Sequence, residues 1–516
     1  MAATATATQR HEGDRRTHEA DLTSHQADRR THEADLTSHQ PDRTTDQPDR
    51  TTQARHPRRW LILAIVLIAE LMDLIDGTIV NVAAPAIRRD LGGGQSALQW
   101  FGAAYTVAFA VLLITGGRLG DRVGRRRLFM IGVVGFTLAS VACAAAPSAS
   151  VLIAFRVLQG AFGALLIPQG FGVIKEVFAE DEIQKAFAAF GPVIGIAAVV
   201  SPILGGALTS GNLFGLGWRN VFLVNVPLGV AGLIGAWRVM PPTGGRPGAR
   251  LDAGGVLLVT ASCFALVYPL VQGRELGWPA WVFALLGAGV VGFLVFGRYE
   301  RRHPERALIA PSLLRNRAFT SGLVVAVCFF ATMIGVSLVL SVFCQLGEGF
   351  SPLRTGLTLA PIAVGVAITA GPSYPLAQRY GRGSLQAGLV VMGAGLALLA
   401  VMISGTGHAA SWTLVPGELI AGMGMGLALP PLFDFILAGV QDHEVGSASG
   451  VLNASQQFAG ALGIAVFATV FLSYLDGHRP PTGSAADTIL LTLIPLALAF
   501  LGVFRLPRRS REAVDG

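Results

Sequence analysis

Charge is scarce in this chain of 516 residues: Asp, Glu, Lys and Arg together make up 14%. Soluble domains carry about 25%, so the usual solvated surface cannot be built over this length, and a soluble protein is excluded. Lysine is scarcer still: of 39 basic residues only Lys175 and Lys185 are lysines. Neither follows a glycine, so there is no GxxxxGKS/T phosphate loop and ATP is not expected to be burned. Four cysteines, Cys143, Cys263, Cys328 and Cys344, fall in apolar runs without CxxC spacing. They read as small buried hydrophobes and carry no information on redox compartment. HExxH and paired CxxC motifs are also missing. No metal site, no cofactor and no enzyme activity are expected. No apolar stretch precedes Trp60, so no secretory signal is expected either.

What the chain has in quantity is apolar. Hydrophobic residues make up 52% and the mean hydropathy is +0.56. A bilayer core of about 30 Å is crossed by about 20 apolar residues in a helix. Fourteen such blocks follow Trp60, the first at 60–82 and the last at 486–504. In hydrocarbon every backbone N–H and C=O needs an internal partner, so each block is predicted to be helical. Pro168, Pro202, Pro361, Pro430 and Pro431 interrupt blocks in ways that membrane helices tolerate. The net charge of +7 would raise nucleic acid as a partner. The arginines sit instead in short loops between apolar blocks, so the bilayer is the expected partner and nucleic acid is not. With the N-terminus inside, the inner loops hold 25 basic residues and the outer loops 6. That excess puts both termini in the cytoplasm and requires an even number of spans.

Residues 1–59 differ from the rest. Asp14–Gln26 reads DRRTHEADLTSHQ and Asp28–Gln40 repeats it letter for letter. His11, His18, His25, His32 and His39 fall at every seventh position. Leu22 and Leu36 are the only large apolar residues of the heptads, too few for a coiled coil. A histidine row could hold a divalent metal, but the composition reads as a disordered cytoplasmic tail. A second repeat lies within the spans. LGDRVGR follows the second block at Leu119–Arg125, and LAQRYGR follows the tenth at Leu376–Arg382, with Asp121 replaced by Gln378. Two halves of one design are implied.

Charges at membrane depth cost roughly 2.5–3.5 kcal/mol each on insertion scales. The first span nonetheless holds Glu70, Asp73 and Asp76 on one side of the helix, with Asp76 about 24 Å along the axis from Trp60. Arg156 is the one basic residue deep inside a block. It is expected to pair with Asp73 or Asp76 across a cavity, in a site that gains and loses a proton; a static ion pair is the competing reading. Glu418, Asp434, Gln456 and Gln457 are further candidates for the cavity wall, and with Asn453 the two glutamines could equally be interhelical glue. Gly422, Gly424 and Gly426 suggest close helix packing.

These residues resemble the fourteen-helix drug:proton antiporter branch of the major facilitator superfamily, over about residues 60–505. GRLGDRVGRR at Gly117–Arg126 looks like the signature loop after the second helix. The resemblance gives an inner-gate role to Gly117, Asp121, Arg122, Gly124, Arg125 and Arg126. LIDGTIVNVAAP at Leu74–Pro85 is similar to the first-helix motif of the branch. RVLQG at Arg156–Gly160 resembles the proton-coupling motif and adds Gln159 to the candidates. Gly191, Pro192, Ser201, Pro202, Gly205 and Gly206 resemble the antiporter motif, with Ser201 where the family has glycine. WRNVF at Trp218–Phe222 and NVP at Asn225–Pro227 follow as the branch expects.

The resemblance implies an all-α membrane protein with two six-helix halves, 60–240 and 301–505, and two inserted helices within 241–300. A tail at 506–516 follows. It implies a proton-coupled exporter of amphiphilic drugs or antibiotics in a bacterial plasma membrane, acting as a monomer by alternating access. An importer or facilitator on the same fold, and a membrane sensor that moves nothing, are the alternatives.

Overall fold

The computed structural model describes residues 56–508 apart from 180–181, 183–184, 187–188, 246–251, 304–306, 406–409, 439 and 442–443. The repeat-bearing residues 1–55 and the residues from 509 onward lie outside the described residues. The described residues belong to one compact unit, Arg55–Gly516.

Fourteen long helices carry the chain back and forth. The first six are α1 (Arg59–Leu91), α2 (Ala97–Val123), α3 (Arg125–Ala144), α4 (Ala149–Val177), α5 (Phe190–Ser210) and α6 (Gly217–Val239). Two inserted helices follow, α7 (Ala253–Gln272) and α8 (Ala280–Arg302). The last six are α9 (Arg317–Gly347), α10 (Pro352–Tyr380), α11 (Arg382–Ser404), α12 (Ser411–Leu437), α13 (Val445–Asp476) and α14 (Pro481–Val503). By length and composition, 12 of the described helices can cross a membrane unaided. The others are α1, which carries Glu70, Asp73 and Asp76, and α5, whose 21 residues include no charged one. The chain is thus a multi-pass membrane protein of fourteen helices. Two helices hold short π-helical segments, Phe343–Gly347 in α9 and Ile464–Ala468 in α13.

Helix ends depart from the apolar blocks where local chemistry extends them. The first block stops at residue 82, yet α1 runs on through Pro85 to Leu91, because the chain beyond 82 is still buried against other helices up to Ile87. The sequence repeat has a shared geometry. Gly124 ends α2 and starts α3 with φ 103°, and Gly381 ends α10 and starts α11 with φ 57°. Each turn needs a left-handed residue between two helices, which glycine supplies without a Cβ penalty. The matching arginines have different uses. Arg125 pairs with Asp121 (2.9 Å), whereas Arg382 donates to the carbonyls of Phe504 and Leu506 (2.8 and 3.0 Å).

The two halves meet along α5 against α10 and α2 against α13, with α1 touching α9. The inserted α7 packs on α2 and on α13, so it touches both halves. Inside the second half, glycines let backbones meet. A Cβ on Gly422 of α12 would lie 2.0 Å from the Ile362 carbonyl oxygen of α10, and one on Gly424 2.1 Å from the Met392 amide nitrogen of α11. Backbone atoms cannot swing aside as a side-chain tip does. Gly422→Ala is therefore expected to push α10 and α12 apart and to cost about 1–3 kcal/mol. A lower melting temperature in detergent checks it, with Gly450→Ala, which meets open space, as the neutral control.

Candidate functional site

The deep charges of the sequence come together inside the first half. Asp76 on α1 and Arg156 on α4 form an ion pair of 2.5 Å in which both side chains are fully buried. Asp76 Oδ2 accepts from the guanidinium, and Oδ1 accepts from Gln159 Nε2 (2.8 Å) and Asn225 Nδ2 (2.7 Å). The guanidinium also donates to Gln159 Oε1 (2.8 Å) and, through Nε, to the Phe101 carbonyl of α2 (2.9 Å). Ser140 on α3 accepts from Asn225 (2.9 Å) and Gln159 (3.2 Å) and donates to the Phe222 carbonyl (2.8 Å). Arg156 lies 4.3 Å from the centroid of the Tyr105 ring, a cation–π contact. The Tyr105 hydroxyl in turn donates to Asp73.

The local sequence explains the convergence. Asp73 and Asp76 are three residues apart on α1, and Arg156 and Gln159 three apart on α4, so each pair shares a helix face. The two faces oppose one another. Asn225 reaches in from the first turn of the regular part of α6. Ser201 of α5 is fully buried. It donates to the Ile75 carbonyl (3.1 Å) and shares a hydrogen bond with Thr78 (2.5 Å). The hydroxyl that replaces glycine thus finds a partner one residue from Asp76.

The sequence expectation of a pair across a cavity needs correction. Arg156 meets Asp76 inside the first bundle, and both are at 0% exposure. Gln159, expected on a cavity wall, is sealed in the same network at 0%. Polar residues at depth reveal that an interior exists, but not whether it lies within a half or between halves. Ser140, Asn225 and Tyr105 were not singled out from sequence as site residues. Asn225 lies in the NVP motif, which was the one available signal.

Other candidates lie apart from this network. Glu70 is half-buried on α1. Glu418 is fully buried in α12, and neither of its carboxylate oxygens has a partner among the described residues. Asp434 is exposed near the end of α12, and Gln456 and Gln457 are half-buried on α13. In the signature loop, Arg125 reaches Asp121 and also Glu176 at the end of α4 (3.2 Å). Arg126 donates to the Trp237 carbonyl (2.5 Å), and Arg122 is exposed. A Cβ on Gly117 would be in ordinary contact with Pro168. Gly191 and Pro192 lie in the first turn of α5. Gly205 faces α1 and Gly206 faces α10: a Cβ on each would come within 2.8 Å of Ile79 and 2.4 Å of the Pro352 carbonyl. The antiporter-like segment therefore sits where the halves meet.

Among the described residues, the hydrogen bonds joining the halves gather at the end away from Arg59. Gln345 donates to the Val82 carbonyl (2.8 Å) and Ser341 to the Asn81 carbonyl (2.9 Å). Gln99 donates to Thr469 (3.0 Å), which donates to the Leu270 carbonyl of α7 (2.8 Å). In the loop after α7, Glu275 accepts from the Ser96 amide and hydroxyl (both 2.8 Å), and Arg274 pairs with Asp476. At the opposite end Arg118 donates to the Ala307 carbonyl and the Arg126 amide to the Thr243 hydroxyl.

Comparison with known proteins fits this architecture. Residues 66–464 match the Major Facilitator Superfamily. The chain belongs to that superfamily. It is 47% identical over 440 residues to the probable actinorhodin transporter of Streptomyces coelicolor, an alignment covering 84% of this chain and 75% of that protein. It is 35% identical to the puromycin resistance protein pur8 of Streptomyces alboniger (84% and 87% covered). The tetracenomycin C resistance and export protein of Streptomyces glaucescens is 31% identical (83% and 79%). A crystal structure of a peptide transporter, POT, in complex with sulfate shares the fold with a TM-score of 0.62 at 17% identity, covering 86% of this chain and 95% of that one.

Removing one partner of a buried ion pair leaves the other charge stranded, at about 3–5 kcal/mol. Arg156→Ala and Asp76→Ala are each expected to lower the melting temperature strongly, and the double substitution to cost less than the sum of the two. Additive losses would show that the pair is not coupled. The loop acid gives a pH dependence. Burial pushes Glu275 up, but the Ser96 amide and hydroxyl, Arg274 and Gln272 outweigh it and hold its carboxyl below the ordinary range. Its contribution is present above the usual glutamate value of about 4.3 and is lost as pH falls through the lowered folded value. Spin labels at Leu213 of the first half and Leu276 of the hairpin loop, both exposed, are expected to separate on acidification. In Glu275→Gln they are expected to separate at neutral pH as well.

Proposed function

We propose that the chain exports a small amphiphilic molecule of the antibiotic type in exchange for protons. The observation that carries the coupling is Asp76: a carboxylate at mid-span, fully buried, held by Arg156, Gln159 and Asn225. The end bearing Arg59, Gly124 and Gly381 faces the cytoplasm of a bacterium across its plasma membrane, in keeping with the surplus of inner arginines. Both termini lie on that side, and the chain works as a monomer. With the far ends of the halves bonded together, the conformation described is closed to the outside.

In the cycle, a proton entering from outside reaches Asp76, which lies farther from the Arg59 end than Glu70 and Asp73. Neutral Asp76 no longer holds the guanidinium, which stays positive, and Arg156 is freed to seek another partner. That rearrangement changes how α1, α4 and α6 pack, and α5, tied to α1 through Ser201 and Thr78, moves against α10. Ionic contact is thereby converted into rocking of one half on the other. The exchange is energetically adequate. One charge crossing 100 mV supplies about 2.3 kcal/mol, one pH unit adds about 1.4 kcal/mol, and each 1.4 kcal/mol supports a tenfold gradient. The relatives named for actinorhodin, puromycin and tetracenomycin C support an antibiotic cargo and outward transport.

Asp76→Asn keeps the shape and two acceptor–donor contacts but removes the charge. In vesicles with an imposed pH gradient it is expected to abolish drug accumulation while leaving drug binding within a few-fold of wild type. Undiminished gradient-driven accumulation in that variant would refute proton coupling through Asp76. Gradient-independent flux in the wild-type chain would favour a facilitator.

A further inference from the structure

A second pair of acids lies outside the network of Asp76, where the inserted hairpin meets the chain at the Arg59 end. Asp252 caps α7 and is 4% exposed. Its Oδ1 accepts from the Gly255 amide (3.0 Å) and the Tyr299 hydroxyl (2.8 Å). Glu300, in the last turn of α8, is at 0% exposure, and its Oε2 accepts from the Ile309 amide (2.8 Å) in the linker leading to α9. The remaining oxygens, Asp252 Oδ2 and Glu300 Oε1, are buried and have no partner among the described residues. They point into one space: a Cβ on Gly255 would lie 2.4 Å from Asp252 Oδ2 and 3.0 Å from Glu300 Oε1. Glycine at 255 keeps that space clear.

The charged and titratable groups around the pair are few among the described residues. Arg118 of α2 is within electrostatic reach of Glu300, and its guanidinium is committed to the Ala307 carbonyl. Tyr299 is on Asp252 Oδ1 and is packed against His303, with ring centroids 4.5 Å apart. Arg301, Arg302 and His303 are exposed.

Two buried carboxyl oxygens facing one space repel when both carry charge, and an orphaned buried oxygen costs the full loss of its hydration. One proton resolves both defects. Placed on either oxygen, it makes that oxygen a donor and the other an acceptor, and leaves the pair with one negative charge beside Arg118. We propose that Asp252 and Glu300 form a proton-binding site that holds a single shared proton and so fastens the inserted hairpin to the linker before α9. Loss of that proton puts two negative charges in the same space and loosens the carboxylate that fixes the Ile309 amide. The site depends on α7, α8 and the linker, so it stands whether or not the chain exports drugs.

Infrared difference spectra of the full chain in lipid nanodiscs test it. Asp252→Asn and Glu300→Gln are each expected to lose the same carboxylic-acid carbonyl band, and the double variant to lose no more than either. A band lost in only one of the single variants puts the proton on one residue and overturns sharing. A band lost in neither means that both acids are ionised, which also overturns it. Exchanging sodium for choline is expected to leave the band unchanged; a band that grows identifies a cation as the ligand and overturns the proposal. Should an amide variant fail to fold, Gly255→Ala drives a methyl between the two oxygens. Loss or displacement of the band supports the shared proton, and an unmoved band overturns it.

Discussion

A carboxylate buried at mid-membrane has no water to solvate it, so its partners must come from the protein, and the choice of partners fixes how helices are rotated and set against each other. Asp76 draws Arg156 and Gln159 from α4 and Asn225 from α6, while Arg156 reaches the Phe101 carbonyl of α2 and Ser140 closes the group from α3. Five helices are thereby registered on one charge. An ion pair of this kind is weak evidence for stability, since well-packed apolar side chains often do as well. Its value lies in orientation: one charge fixes which faces of five helices turn inward.

Glycine lets helices approach in both halves. In the first, a Cβ on Gly116 of α2 would lie 2.2 Å from the Ala164 carbonyl of α4, and one on Gly160 of α4 2.3 Å from the Tyr105 carbonyl of α2. In the second, Gly388 and Gly395 of α11 face Ala428 and Ala421 of α12, and Gly365 of α10 faces the Leu419 carbonyl of α12. Backbone-to-backbone packing of this sort is rigid, since no side chain intervenes to change rotamer. What separates the halves is charge: the first holds the Asp76–Arg156 pair at its centre, while Glu418 sits within the second without a partner among the described residues.

Hydropathy and charge carried most of this fold and part of the site. Fourteen helices were legible because about 20 apolar residues have few other uses. The turns at Gly124 and Gly381 were legible because a repeat preserved the one residue type that fits them. Asp76 and Arg156 announced themselves because charge at that depth is costly. Ser140 and Tyr105 did not, since serine and tyrosine are unremarkable in a membrane helix and their meeting depends on helix rotation. The same limit placed Gln159 on a cavity wall when it belongs inside a bundle. Ser201 read as a departure from a motif, and only its contacts with Ile75 and Thr78 reveal a hydroxyl with work of its own.

The inserted hairpin constrains how such a molecule can rock. Near the Glu275 loop it is bonded to the first half through Ser96 and to the second through Thr469 and Asp476. At the other end it lies against Arg118 of the first half and the linker to the second. If the far ends of the halves separate, the hairpin cannot keep both sets. On the side of the second half, Arg274–Asp476 is an ion pair whose acid is 50% exposed, a class of contact worth about 0–1 kcal/mol. On the side of the first half, Glu275 takes two hydrogen bonds from one residue, and charge-assisted bonds of that type are roughly twice as strong as neutral ones. Thr469, which donates to the Leu270 carbonyl, adds a further bond on the side of the second half. The hairpin is thus held from both halves, and the grip of Glu300 on Ile309 lies in the linker through which the chain passes from the hairpin to the second half.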